Sequence, residues 1–203
     1  MEEESFEDFW ALIEDSRRRA ACRDEREELL RDRLVKRPPR EIVRFQIQLH
    51  RVRQRVDTWE MWAAAEQIFG GSCSDDSFWY FQFWLVGLGR EDFRTVVADP
   101  DALADIAGLR RLAGRPLSAW PDDEWPEWEG LDYVAAGAYE ELTGEENGLE
   151  EALEAEGVEH PCNPEPDGEA WGVRHTEEAA RRLPRLSTMF PLPEPAAGRY
   201  RAG

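Results

Sequence analysis

Few residues in this 203-residue chain have the types and spacing that chemistry needs, and the densest group is Gly70-Gly71-Ser72-Cys73-Ser74-Asp75-Asp76. Cys73 stands two residues ahead of a helix start near Asp75, and a helix N-terminus lowers a thiol pKa and favours the nucleophilic thiolate. Asp75 and Asp76 are candidates for metal binding or acid-base work. Adjacent helical residues point about 100° apart, however, so the pair converges on one ion only with help from elsewhere. Each residue also has a plainer explanation. The two aspartates complement the positive end of the helix dipole, their charge opposes thiolate formation, and a cysteine packed under tryptophans is usually a small buried residue. If the turn is a ligand site, Arg90 is the candidate anion partner.

Three further groups carry candidate chemistry. His160-Pro161-Cys162, with His175 further on, supplies zinc-ligand types but lacks the paired Cys-x-x-Cys or His-x-x-x-His spacing that marks a zinc site. Trp120, Trp125 and Trp128 alternate with Asp122, Asp123, Glu124, Glu127 and Glu129, a pattern suited either to an aromatic, acidic groove for a cationic ligand or to rings clipped onto a core. Arg37, Arg40, Arg44, Arg51 and Arg55 lie along one flank of a helix. A solvated face paired with the acidic C-terminal segments explains them, and a phosphate or nucleic-acid stripe is the alternative. No phosphate-binding glycine loop, nucleophile elbow or zinc-protease helix is present, and no cofactor is implied.

The elements that would position these residues are helical throughout. Phe6, Phe9, Trp10, Leu12 and Ile13 form one face of a first helix over 6–19, entered through a Ser5/Asp8 capping box. A second helix spans 24–35, and Ile42, Phe45, Leu49, Val52 and Val56 repeat at the 3, 4 spacing of a third. Asp57 or Thr58 caps the next, which ends at Gly70-Gly71. Then comes a segment capped by Ser74 with large apolar residues on every face, Phe78, Trp79, Tyr80, Phe81, Phe83, Trp84, Leu85 and Leu88, which requires neighbours all round. A short helix follows Gly89-Arg90, another starts at Asp99-Pro100 and runs through Ile106, and residues 114–130 read as a Trp/Pro-rich wrapping loop. Helices over 131–142, 145–156 and from Thr176 to a stop at Pro184 complete the chain. The expected fold is all-α: an irregular helical bundle over residues 1–190 around the aromatic central helix, with a loose tail over 191–203.

Several of these landmarks together resemble a bacterial, actinobacterial-type family of domains of unknown function, DUF4240. They are Trp62-Ala63-Ala64-Ala65, the Gly70 to Asp76 run, Trp84-Leu85, Gly89-Arg90 and Asp99-Pro100-Asp101-Ala102-Leu103-Ala104, with Phe9-Trp10-Ala11-Leu12-Ile13 and Trp171 at either end. Gln82-Phe83 stands where that family's pattern places a Phe-Arg pair, so that arginine's role does not carry over. The resemblance implies a shared fold and no particular reaction.

Charge separates the remaining function classes. The net charge is -19, but residues 1–60 hold fourteen Arg/Lys against fifteen Asp/Glu, while residues 116–203 hold six against twenty-one, a balance of -15. A field of that sign repels nucleic acid and anionic lipid and favours a basic protein partner. The acidic start Met1-Glu2-Glu3-Glu4 is unlike a signal-peptide entry, and no apolar run suits a membrane span. Three cysteines do not make a disulfide framework, so a cytoplasmic location is expected. The leading reading is a non-enzymatic interaction or regulatory module that binds a basic partner. The alternative is an enzyme, or a small-molecule or metal binder, with its site at the Gly70 to Asp76 turn.

Overall fold

The 3, 4 repeat of residues 39–56 forms the helix its spacing predicts. In the computed structural model, which describes residues 2–158 and 165–192, this helix, α3 (Pro39–Gln54), opens with proline in its first turn. A missing N–H costs nothing there. Ile42, Phe45, Leu49 and Val52 are buried along it. Ahead of it lie α1 (Glu2–Arg19) and α2 (Arg23–Leu34), and after it α4 (Trp59–Ile68). Thr58 caps α4, its hydroxyl accepting the Met61 N–H at 3.1 Å. Helix α1 begins at Glu2, ahead of Ser5, so the expected capping box does not mark its entry.

The aromatic segment is α5 (Asp75–Gly87), and Ser74 caps it by accepting the Ser77 N–H at 3.1 Å. Phe78, Phe81, Phe83, Leu85 and Val86 are buried, and α1, α3, α4 and α6 (Arg90–Ala98) pack around them. Gly89, at φ 91°, makes the left-handed turn between α5 and α6. The 114–130 loop closes the side that helices leave open. Its Trp128 N–H donates to the Tyr80 carbonyl at 2.9 Å, and the Trp128 ring lies against Gly87.

After α6, Asp99 caps a 3₁₀ turn over Pro100–Asp105, accepting the Asp101 N–H at 3.0 Å. The sequence suggested one helix through Ile106. Instead extended backbone at Ile106 separates the turn from α7 (Ala107–Leu112). Helix α8 (Gly130–Thr143) packs on α2 and α3, and α9 (Gly148–Ala155) packs on α8 and α3. Asp167 then pairs by backbone hydrogen bonds with Asp57 and Trp59, both 2.9 Å. Helices α10 (Thr176–Arg182) and α11 (Pro184–Met189) follow. Helix α10 stops just before Pro184, as expected, and the same proline also starts α11, because proline is as suited to a first turn as to a stop. Buried Asp101 secures α11, its carboxylate accepting the N–H groups of Arg185 at 3.1 Å and Leu186 at 2.9 Å. No helix among the described residues is long and apolar enough to cross a membrane.

Two helical glycines give opposite expectations. A Cβ on Gly87 would sit 2.6 Å from Trp128 Cε3, whereas one on Gly137 meets only Arg31 Cδ at 3.8 Å. Gly87→Ala should cost about 1–3 kcal/mol in denaturant unfolding, with a shifted tryptophan emission. Gly137→Ala should gain about 0.5–1 kcal/mol from helix propensity alone.

Candidate functional site

The glycine turn holds its residues where the sequence placed them, with Gly70 at φ 76° and Gly71 at φ 93°. Burial pushes the Cys73 thiol up to about 12, and the charges of Glu127, Glu66 and Asp75 act in the same direction. The thiol therefore keeps its proton at neutral pH, and the helix dipole does not supply a thiolate. Asp75 and Asp76 are exposed in the first turn of α5. Arg90 is not their partner. It begins α6, beyond a helix of 13 residues that rises about 20 Å, and it pairs with Glu7 of α1. His175 lies exposed beside the start of α10, while His160 and Cys162 fall outside the described residues. Among the described residues no group of three or more His, Cys, Asp or Glu is placed to hold a metal ion.

The tryptophan loop meets cations, and they are the protein's own. Trp120 and Trp128 are buried, and Trp125 stacks on Phe69 at 5.8 Å with an interplanar angle of 11°. Arg23 donates to the carbonyls of Asp122, Trp125 and Glu127. Arg26 lies 4.2 Å over the Trp128 ring and donates to the Gly87 carbonyl at 2.9 Å. Trp128 in turn donates its indole N–H to Glu27 at 2.6 Å. An indentation of about 330 Å³ remains beside this clamp, lined by Asp24, Glu27, Asp122, Asp123, Glu127 and Trp128. Trp120 and Trp128 thus follow the core-wrapping expectation, and the one tryptophan that lines the indentation, Trp128, has its ring face occupied by Arg26.

The densest polar arrangement lies elsewhere, on residues the spacing arguments passed over. Gln46, His50, Arg53 and Asp57 follow one another by 4, 3 and 4, one residue out of step with the apolar stripe Phe45, Leu49, Val52 and Val56. They face Trp79 and Gln82 of α5 and Asp132 of α8. Arg53 has no exposed side-chain surface, and its Nη1 donates to Asp57 at 3.1 Å and to the Gln82 amide oxygen. Gln82 Nε2 completes that triangle by donating to the second Asp57 oxygen at 3.1 Å. The guanidinium lies 4.0 Å over the Trp79 ring, and the indole N–H donates to Asp132 at 3.1 Å. Gln46 Nε2 lies 2.8 Å from His50 Nε2 and donates to Asp132 at 3.4 Å. Burial pulls the Arg53 pKa below its ordinary value, against the opposing pull of Asp57. Four buried atoms of this centre make no hydrogen bond: Arg53 Nε and Nη2, His50 Nδ1 and Gln46 Oε1. An unpaired buried polar group costs about 1–3 kcal/mol, so the centre is an expensive way to fill a core.

A second feature is the acidic surface of α8 and α9. Glu140, Glu141, Glu146, Glu151, Glu154 and Glu156 are exposed and make no ion pair with another described residue. Leu142, 40% exposed, stands among them. Of the basic flank, Arg40, Arg44 and Arg55 are exposed and Arg37 pairs with Glu41 at 3.4 Å within α3.

A family model described as "Protein of unknown function (DUF4240)" matches residues 1–141. The match takes in the glycine turn, the tryptophan loop and the whole polar centre, and it stops before α9. No curated protein and no solved structure matches the chain.

Two measurements check this description. Brief iodoacetamide treatment at pH 8 followed by peptide mapping should label exposed Cys22 far faster than Cys73, and equal rates would contradict a thiol held near 12. Asp57→Ala should cost about 3–5 kcal/mol on unfolding, because it leaves the Arg53 charge buried without its partner.

Proposed function

We propose that this chain, which belongs to the DUF4240 family of proteins of unknown function, is a cytoplasmic, non-enzymatic interaction module that receives a basic protein partner on the α8–α9 surface. The observation that carries the reading is the run of exposed glutamates on α8 and α9 that find no cation among the described residues, with exposed Leu142 between the two helices. Like charges within a Debye length of about 10 Å repel one another at 0.1 M salt, and a cationic surface laid across them relieves that repulsion. Leu142 offers the apolar contact that a purely electrostatic patch lacks. The same field argues against anionic lipid and nucleic acid, since the local balance of residues 116–203 is -15. The free thiols of Cys22 and Cys73 agree with a reducing compartment.

The competing reading, an enzyme or small-ligand site at the Gly70 to Asp76 turn, has less support. Its thiol is protonated and Arg90 lies at the opposite end of α5.

The test is affinity capture at low and high salt with intact protein and with a variant carrying Gln at Glu145, Glu146, Glu150, Glu151, Glu154 and Glu156. A basic protein retained at low salt, released at high salt and lost with the variant is the expected result. Leu142→Ser should weaken that complex while leaving the melting temperature close to the parent's. Retention indifferent to both salt and the glutamates would sink the acidic-surface mechanism.

A further inference from the structure

Helix α3 turns one narrow ridge to solvent, and the chemistry of that ridge is nearly uniform. From residue 40 to residue 55 the exposed positions are Arg40, Arg44, Arg51, Gln54 and Arg55, so all but one are arginine. At 100° per residue the four arginines fall within about 60° of one another, and half-buried Ile47 stands in their midst. The sequence suggests that they pair with the acidic C-terminal segments, yet Arg40, Arg44 and Arg55 make no ion pair with a described residue. The acids lie close by. Helix α9 packs on α3 as well as on α8, which sets the basic ridge beside the surface where Glu146, Glu151 and Glu154 find no cation among the described residues. The molecule thus carries two adjoining patches of opposite sign.

We propose that the basic partner of the α8–α9 surface is a second copy of this chain, which lays its α3 ridge across those glutamates while offering its own glutamates to the first copy's ridge. Adjoining patches of opposite sign are what a two-fold axis requires. Rotation about their border carries each patch onto the other, so every contact between ridge and acidic surface is made twice and the assembly closes at two copies. Ile47 on the ridge and Leu142 on the acidic side give apolar contact that charge alone lacks. A net charge of -19 on each copy opposes approach, but at 0.1 M salt charges more than about 10 Å apart are largely screened, whereas pairs buried at a contact are screened much less. The same excess of acid disfavours any arrangement that sets glutamates on glutamates, which selects the crossed one. The inference rests on the acidic-surface reading and goes beyond it by naming the partner.

The experiment is sedimentation equilibrium on the purified full chain at about 0.1 M and about 1 M salt. At the lower salt the mass should rise with concentration to twice the monomer and no further, and at the higher salt it should return to the monomer. Arg40→Glu with Arg44→Glu, and separately Glu151→Lys with Glu154→Lys, should each weaken association by about tenfold or more, because each sets like charges against one another. The four positions are exposed, so melting temperatures should stay near the parent's. Mixed in equal amounts, the two variants should recover the dimer, since the new glutamates then face the new lysines and the native patches face each other. A monomer at every concentration, assembly that continues past two copies, or a mixture that associates no better than its components overturns the proposal. A chain that stays monomeric yet captures a basic protein in a salt-sensitive way refutes the second copy alone and leaves the acidic-surface reading standing. If neither the dimer nor that capture is found, both readings fail.

Discussion

Helix α5 has almost no face fit for water, and that constraint dictates what surrounds it. Burying each of Phe78, Phe81, Phe83 and Leu85 is worth about 1.5–3 kcal/mol, and the gain is realised only if every side of the helix is covered. Helices α1, α3, α4 and α6 take most of the perimeter. The rest falls to a loop, and a loop covers a core only if its own polar backbone is satisfied. This is why the strap carries tryptophans with arginines at its back: Trp128 fills the space that Gly87 leaves, and Arg23 donates to three of the strap's backbone carbonyls.

The arginines explain how a chain with balanced charge at its start leaves its end so acidic. Arg23 and Arg26 of α2 are spent on backbone carbonyls and on an indole face, and Arg53 is spent on Asp57 and Gln82. Arg17 bonds the Leu88 carbonyl as well as Asp92. These four arginines of α1 to α3 thus tie helices and loop together through carbonyls, an indole face and two carboxylates, and none of them reaches the glutamates of α8 and α9. Several glutamates of α8 and α9 remain uncompensated although α9 packs directly on the arginine-bearing α3.

Helix positions were legible because their causes are local. Ser74, Thr58, Gly89 and Asp99 do what their types and neighbours imply, and the apolar stripe of α3 is buried as its period requires. Pro184 was ambiguous for a local reason too, since the same residue ends one helix and begins the next. The polar centre was not legible, because its identity depends on distant elements. The stripe Gln46, His50, Arg53, Asp57 reads as the ordinary polar edge of an amphipathic helix until α5 and α8 close over it. Only Gln82, a polar residue inside an otherwise apolar segment, hinted that something opposite had to pair with it. Likewise Arg90 looked close to the glycine turn in sequence, yet a rigid helix stands between them. Which of Trp120, Trp125 and Trp128 face outward was open in the sequence, because nothing in their spacing reveals that Arg26 lies over the Trp128 ring.

Two buried charged residues differ in how fully their hydrogen-bonding groups are used. The Asp101 carboxylate receives the backbone N–H groups of Arg185 and Leu186, both of which would be orphans at the start of α11. Each partner gains by the contact, and holding α11 against the 3₁₀ turn is a sufficient account of it. Arg53 differs. A buried ion pair is commonly matched or exceeded in stability by apolar residues of the same volume, so stability alone does not call for a guanidinium at that position. Moreover the surroundings satisfy one nitrogen of three and leave the geometrically best edge unpaired. Satisfied polar networks rigidify a core, while partly satisfied ones lose on desolvation without recovering it. Gln46, His50 and Arg53 stand on successive turns of one helix, so the loss is concentrated on the single face of α3 that α5 and α8 cover.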